Sequence, residues 1–261
     1  MKNNLTAHML VKNEEQWIWY AINSVINRVD QIIIYDTGSC DNTIKIIESI
    51  NNGKIKLTKA GEINSEKLID LRNKQIEETN TDWFLILDGD EVWPEITIKE
   101  LVNKLLQVNS IVNAIVVPAI LPLGDLYHYQ PENAGKYNIL GRTGHYNIRC
   151  YRKTNKYRWK GIYPLEAYMD DKGNSVQQKP DELELLTNNY WHLTHLKRSR
   201  FSHNKFKLEI GDFRKIQIPE TFYIKRPKII PAPWVKYSIW EYLLASILTP
   251  VLKIKRKIIC E

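Results

Sequence analysis

Cysteine is scarce here. The three in 261 residues, Cys40, Cys150 and Cys260, are odd in number and far apart, with no Cys-x-x-Cys pair. That pattern argues against a disulfide framework or a zinc knuckle and points to a reducing, cytoplasmic setting. No run of about 18 apolar residues occurs, so a spanning helix is not supported. The opening Met1-Lys2-Asn3-Asn4-Leu5 turns polar too soon for a signal peptide. Neither a Gly-x-Gly-x-x-Gly fingerprint nor a P-loop is present, which counts against dinucleotide binding and ATP hydrolysis. What is there is an ordinary soluble balance, 43% hydrophobic and 26% charged, with ample material for a core and length for one large domain or one domain with a tail. The formal charge of +7 suggests an anionic partner: nucleic acid, a phosphorylated substrate or an anionic membrane.

The first half alternates strand-like and helix-like segments. Ala7 to Val11 is a short apolar run, and Ile18, Ala21, Ile22, Val25 and Ile26 follow at helical spacing. Ile32 to Tyr35 is apolar throughout, as a buried parallel strand should be. It ends in Asp36-Thr37-Gly38-Ser39-Cys40-Asp41-Asn42-Thr43, a cluster of turn and capping residues before a helix carrying Ile44, Ile47 and Ile50. Leu68, Leu71 and Gln75 mark a helix with Arg72 on it. Trp83 to Leu87 is the next strand, Ile98, Leu101, Val102 and Leu105 the next helical stripe, and Ala114 to Val117 a further strand. Such alternation implies an open, mainly parallel sheet with helices on both faces, whose ligands bind outside the carboxyl ends of the strands. The acidic turns after Tyr35 and Leu87 both fall there.

The second half differs. Tyr146 to Trp159, rich in aromatic and basic residues, predicts a hairpin around Lys153-Thr154-Asn155. Asp170 to Asp181 reads as a polar loop, Arg198 to Lys215 as a basic helix, and Pro219, Pro227, Pro231 and Pro233 as a linker. Trp234 to Leu252 is amphipathic and precedes Lys253, Lys255, Arg256 and Lys257. An apolar face of Ile239, Leu243, Leu244 and Ile247 flanked by cations suits an interfacial helix on an anionic membrane. It equally suits a helix docked on the body with a solvated basic end.

The strongest local signal is Leu87-Asp88-Gly89-Asp90-Glu91. In extended backbone, positions two apart point the same way, so Asp88 and Asp90 can converge on one ligand. Two carboxylates suit Mg²⁺ or Mn²⁺ bound together with substrate phosphates. The same Asp-Gly also reads as a plain turn, while a calcium loop fails because Val92 stands at the next ligand position. Asp36 can accept hydrogen bonds from a base or ribose beside a helix N-terminus that favours phosphate, or serve as an ordinary cap. Arg72 can hold a diphosphate in a bidentate fork, or a surface salt bridge.

Taken in order, Leu10-Val11-Lys12-Asn13-Glu14-Glu15, Asp36 to Thr43, Leu71-Arg72-Asn73 and Trp83 to Glu91 resemble family 2 glycosyltransferases of the GT-A fold. The resemblance covers roughly residues 5–200 and is sharpest in the first 95. It implies an α/β, Rossmann-like GT-A domain over residues 1–218. Residues 1–120 would be the nucleotide-sugar half and 121–218 the acceptor half, with 219–261 a Pro-rich linker and helical basic extension. It implies that Asp36 contacts the nucleoside and Arg72 the diphosphate, and that Asp88 and Asp90 form a DxD motif for Mn²⁺ or Mg²⁺, with Asp90 the direct ligand. Arg149-Cys150-Tyr151-Arg152 and Tyr157 to Glu166 resemble the family's acceptor side, which places Arg149, Arg152 and Trp159 in the substrate-binding surface. Leu165-Glu166 stands where the family has a His-Glu pair, which makes Glu166 the candidate general base. Trp191-His192-Leu193-Thr194-His195 supplies a histidine that can complete the metal or diphosphate site. Residues three apart on a strand face opposite ways, and the Arg198-Ser199 that follows favours His195 over His192.

The implied function is metal-dependent, inverting transfer of a sugar from a nucleotide-diphosphate donor to a glycan, lipid or protein hydroxyl. Nucleotidyl transfer is the alternative, weakened because Lys12-Asn13-Glu14-Glu15 lacks the glycine of a phosphate loop. Nucleic-acid binding through Tyr151, Arg152, Tyr157, Arg158 and Trp159 is disfavoured because two acidic strand ends repel a phosphate backbone. Acceptor choice is expected to lie in loops such as Leu121 to Lys136.

Overall fold

The computed structural model describes residues 4–199, 201 and 207–260, with side chains as far as 256. In chain order the first half runs β1 (Leu5–Val11), α1 (Ile18–Val25), β2 (Gln31–Asp36), α2 (Thr43–Glu48), β3 (Ile55–Lys59), α3 (Ser65–Glu78), β4 (Trp83–Ile86), β5 (Glu91–Val92), α4 (Glu95–Gln107) and β6 (Ala114–Ile120). Three short strands, β7 (His128–Tyr129), β8 (Tyr137–Ile139) and β9 (Arg142–Gly144), lead to β10 (Tyr146–Arg152). Then come β11 (Arg158–Lys160), β12 (Ala167–Met169), β13 (Leu183–Leu185), β14 (Tyr190–His192), β15 (Asp212–Phe213) and α5 (Ile239–Cys260).

The central sheet has the order β3-β2-β1-β4-β10-β6-β14-β5, with β13 also on β6. β1, β2, β3 and β4 run parallel, as do β6, β13 and β14. β10 is antiparallel between the two groups. The sheet is therefore mainly parallel and covered on both faces, as the alternation of the first half implies. Along β4 the alternate side chains divide between two cores. Trp83, Leu85 and Leu87 join α1, α2 and α4 on one face, while Phe84 and Ile86 join α3, Trp159 and Tyr168 on the other. β3 escapes the apolar pattern because it is an edge strand. Lys56 and Lys59 are exposed there, which blunts an otherwise sticky edge.

Two expectations from the second half are corrected. Tyr146 to Trp159 is not a hairpin. β10 enters the central sheet, where Cys150 pairs with Leu85 on one side and Ile115 on the other. Both of its edges are consumed, so β11 pairs with β12 instead. The helix expected over 198–215 is absent from the described part; residues 200 and 202–206 lie outside it. Residues 207–211 form no helix, and β15 pairs with β7. Gly211 passes so close that an added Cβ would sit 2.6 Å from the Tyr129 amide nitrogen, an approach a helix could not make.

The Pro-rich stretch is tied to the body of the protein. The Tyr20 hydroxyl donates to the Pro231 carbonyl (2.7 Å) and the Gln16 amide to that of Ala232 (2.7 Å). Phe222 is buried among Trp17, Tyr20 and Trp191. Among the described residues no helix is long and apolar enough to cross a membrane. Because Phe222 fills a space between α1 and β14, Phe222→Ala should lower stability by about 3–5 kcal/mol in urea denaturation. A change near zero would show that this segment is not part of the cooperative fold.

Candidate active site at the strand ends

The carboxyl ends of β1, β2 and β4 carry the acidic turns. After β1, Asn13 takes a left-handed conformation (φ 58°). Its side-chain oxygen accepts the Cys40 N–H (2.9 Å), while its own N–H donates to the Ser39 hydroxyl (2.9 Å). The loop after β1 is thus stitched to the loop after β2. Asp36, at the end of β2, is buried; its Oδ2 accepts the N–H groups of Gly38 and Ser39 (3.1 and 3.0 Å). Oδ1 is buried with no partner. A buried acceptor left open in this way calls for an explanation, and a ligand N–H or hydroxyl supplies one.

After β4 the chain turns, with the Glu91 N–H donating to the Asp88 carbonyl (3.1 Å). Gly89 is required by proximity, since a Cβ there would lie 2.6 Å from Glu14 Cγ. The turn also changes the expected geometry. Asp88 and Asp90 do not share one environment as in extended backbone: the Asp88 side chain is 38% exposed and that of Asp90 only 2%. Ligand atoms of Asp88, Glu91 and His192 lie within 4.8 Å of one another. Asp90 stands behind this group, its Oδ1 3.5 Å from His192 Nε2 and its Oδ2 3.6 Å from Arg198 Nη1.

Arg149, from β10, holds the acidic turn. Nη1 is 3.1 Å from Asp88 Oδ2, and Nη2 pairs with Glu91 Oε1. Nε donates to the Tyr190 hydroxyl (3.2 Å), which also accepts from Asn147 (2.8 Å). Tyr190 is stacked on Trp93. Burial pushes the Glu91 carboxyl up to about 8, against the pull of Arg149. Burial also raises Asp90, but His192, with Arg198 and Arg149, outweighs it and holds that carboxyl below its ordinary value. For His192, burial lowers the imidazole and the neighbouring Asp90 more than reverses this. Glu14 is raised well above the carboxylate range by burial and by Asp90, although Arg198 Nη1 donates to it at 2.9 Å.

The acceptor-side residues form a second group. The Asn73 side chain donates to the Trp159 carbonyl (2.9 Å) and accepts its N–H (3.0 Å), fastening β11 to α3. Arg72, one residue earlier, lies over the Trp159 ring at 5.3 Å and reaches Glu166 Oε1 at 3.3 Å. Arg72 Nε and Glu166 Oε2 are buried without partners. Gly161 (φ 102°) lets the chain fold back, since a Cβ there would lie 3.3 Å from Glu166 Cα. Leu165, at the position of the family's histidine, is 83% exposed.

Two expected site residues are elsewhere. Arg152 donates to the Val112 and Asn109 carbonyls and lies over Trp83; it sits toward the opposite end of β10 from Arg149. His195 bonds Gln130 (3.1 Å), and burial lowers its imidazole to about 4. His192 rather than His195 joins the acidic group because it is the last residue of β14, paired directly with Glu91. Glu91, Glu14 and Arg198 were not singled out by the sequence pattern as site residues. The pairing of β5 with β14 brings the first to His192, and a contact across 184 residues brings Arg198 to Glu14.

A mainly parallel sheet thus carries the Asp36 turn and the acidic cluster at its strand ends, with the Arg72–Glu166 pair on the acceptor side. The chain belongs to glycosyl transferase family 2, whose sequence signature matches residues 6–168. An uncharacterized glycosyltransferase of Rickettsia bellii is 31% identical over 91 residues, 35% of this chain and 29% of that protein. Among solved structures, S. aureus TarS 1-349 is similar with a TM-score of 0.49 and 14% identity, covering 74% of this chain and 61% of that one. Glucosyl-3-phosphoglycerate synthase from Mycobacterium tuberculosis, solved with Mn²⁺, uridine diphosphate and glucosyl-3-phosphoglycerate, has a TM-score of 0.34 and 20% identity, covering 46% and 44%. The chain thus spans less than two thirds of each of these relatives.

Removing Arg149 strips buried Glu91 and the Tyr190 hydroxyl of their cationic partner, so Arg149→Met should lower stability by about 1–3 kcal/mol, the more so where Glu91, raised to about 8, is ionised. In that variant Glu91 binds its proton more tightly folded than unfolded, where a Glu titrates near about 4.3. Stability then falls as pH rises from the unfolded toward the folded value, and the deficit against wild type should be smaller near about pH 5 than near about pH 8. Urea midpoints across this range check the sign; a deficit that grows on acidification contradicts it.

Proposed function

We propose that this protein transfers a sugar, with inversion, from a nucleotide-diphosphate donor to an acceptor hydroxyl, using a divalent metal. The carrying observation is the grouping of Asp88, Glu91 and His192 within 4.8 Å at the strand ends. Its donor chemistry fits the ion. Carboxylates suit Mg²⁺ or Mn²⁺, and an imidazole tilts the preference toward the transition metal. Asp88, Glu91 and His192 would hold it, while Asp90 orients the His192 ring, the usual role of a carboxylate behind a ligand histidine. When bound, the ion neutralises charge on the departing diphosphate.

The chain's own groups account for the rest. Asp36 Oδ1 accepts from the nucleoside. The unpartnered Arg72 Nε–H offers a charge-assisted donor to the diphosphate, while the other end of the guanidinium holds Glu166. Glu166 Oε2, open and fixed in direction, takes the proton of the acceptor hydroxyl as its oxygen attacks the anomeric carbon from the face opposite the leaving group. Trp159 keeps both side chains in place by packing beneath Arg72.

Turnover of a panel of nucleotide sugars, with Mn²⁺ or with a chelator, tests this. Wild type should require the ion, and Asp88→Asn and His192→Ala should lose about 100-fold or more, by analogy with other charge-stabilising groups. Glu166→Gln should lower kcat by about 10²–10⁴ with the donor KM little changed. Full turnover in chelator would contradict the metal role, and an unimpaired Glu166→Gln would contradict the base.

A further inference from the structure

We propose that α5 is an interfacial helix that seats the protein on an anionic lipid bilayer, its axis in the membrane plane. The helix is docked by the wrong face for a core helix. Among its described side chains Ala245 and Thr249 are the buried ones, and polar contacts hold it. The Thr249 hydroxyl accepts the Ile210 N–H (2.8 Å), Arg256 pairs with the fully buried Glu209, and Lys253 reaches Asp212 (3.4 Å). Lys207 and Tyr237 also engage Glu209, so the rotation of the helix about its axis is set by a buried charged cluster.

That rotation turns the large apolar side chains outward. Trp240, Leu243, Leu244, Ile247, Val251 and Ile254 recur at helical spacing along one stripe. Trp240, Ile247, Val251 and Ile254 are exposed by 80, 69, 62 and 60%. A contiguous stripe of this length on a soluble surface marks an interaction site.

Charge selects the occupant. Glu241 is the single acidic residue between 221 and 260, whereas Lys225, Arg226, Lys228, Lys236, Lys253, Lys255, Arg256 and Lys257 all fall in that stretch. Lys225, Arg226, Lys228, Lys236 and Lys255 are exposed. Two copies meeting through this segment would bring cations against cations, while an anionic leaflet attracts them. Trp240 and Tyr242 near the start of the helix are residue types that favour the headgroup level. The helix is too polar to span, which leaves it lying on the surface.

Co-sedimentation of the full chain with phosphatidylcholine vesicles, with and without phosphatidylglycerol, tests the proposal. The anionic vesicles should bind about tenfold more protein, less as salt is raised. The double variant Ile247→Glu/Val251→Glu should lose binding to both vesicle types while its thermal melt and far-ultraviolet dichroism stay as in wild type. Lys255→Glu should weaken binding to the anionic vesicles alone. No binding by wild type, or equal binding by the double variant, overturns the proposal. So does a wild-type dimer in sedimentation velocity that the double variant dissociates without any vesicle binding, which assigns the stripe to a second copy.

Discussion

The pairing of Arg149 with Glu91 and Asp88 is the constraint on which the site depends. Glu91 is fully buried, and a lone carboxylate there would be protonated or would unfold the turn. Because β10 runs antiparallel between β4 and β6, its Arg149 guanidinium lies beside the carboxyl end of β4. The cation allows two acids, with a third in Asp90, to crowd one strand end. Three carboxyls, those of Asp88, Asp90 and Glu91, thus gather at one strand end against Arg149, Arg198 and a histidine that Asp90 holds toward its protonated form. The divalent cation proposed above would share Asp88 and Glu91 with this structural ion pair.

Much of this was legible in the sequence because it is local. The strands around Ala7–Val11, Ile32–Tyr35, Trp83–Leu87 and Ala114–Val117, the helices between them, and the turns after Tyr35 and Leu87 are each written in a few consecutive residues with a clear apolar period or turn chemistry. What escaped is non-local. β3 is half polar because it lies at an edge. The Tyr146 to Trp159 segment has the composition of a hairpin, and only the vacant edges of β4 and β6 draw β10 away from β11.

The same division holds within the site. Arg72 and Glu166 were singled out separately, yet their contact at 3.3 Å depends on the Asn73 clamp to β11 and on the Gly161 turn. Asp88 and Asp90 were paired by spacing, and the turn through Gly89 leaves one half-exposed and the other buried. The choice between His192 and His195 rested on flanking residues, whereas the structure decides it through the β5–β14 pairing. The C-terminal segment shows the converse: its amphipathic period was plain, but which face turns inward is set by Glu209, some 47 residues before Arg256.

The central claim is that Asp88, Glu91 and His192 make one cation site, and direct Mn²⁺ binding tests it without requiring a known donor or acceptor. Titration of the protein into Mn²⁺, followed by loss of the free-ion electron paramagnetic resonance signal in the presence of uridine diphosphate, should show one bound ion per chain and weakened binding in His192→Ala. An unchanged free-ion signal in the wild-type protein, or equal binding by His192→Ala, would contradict the account.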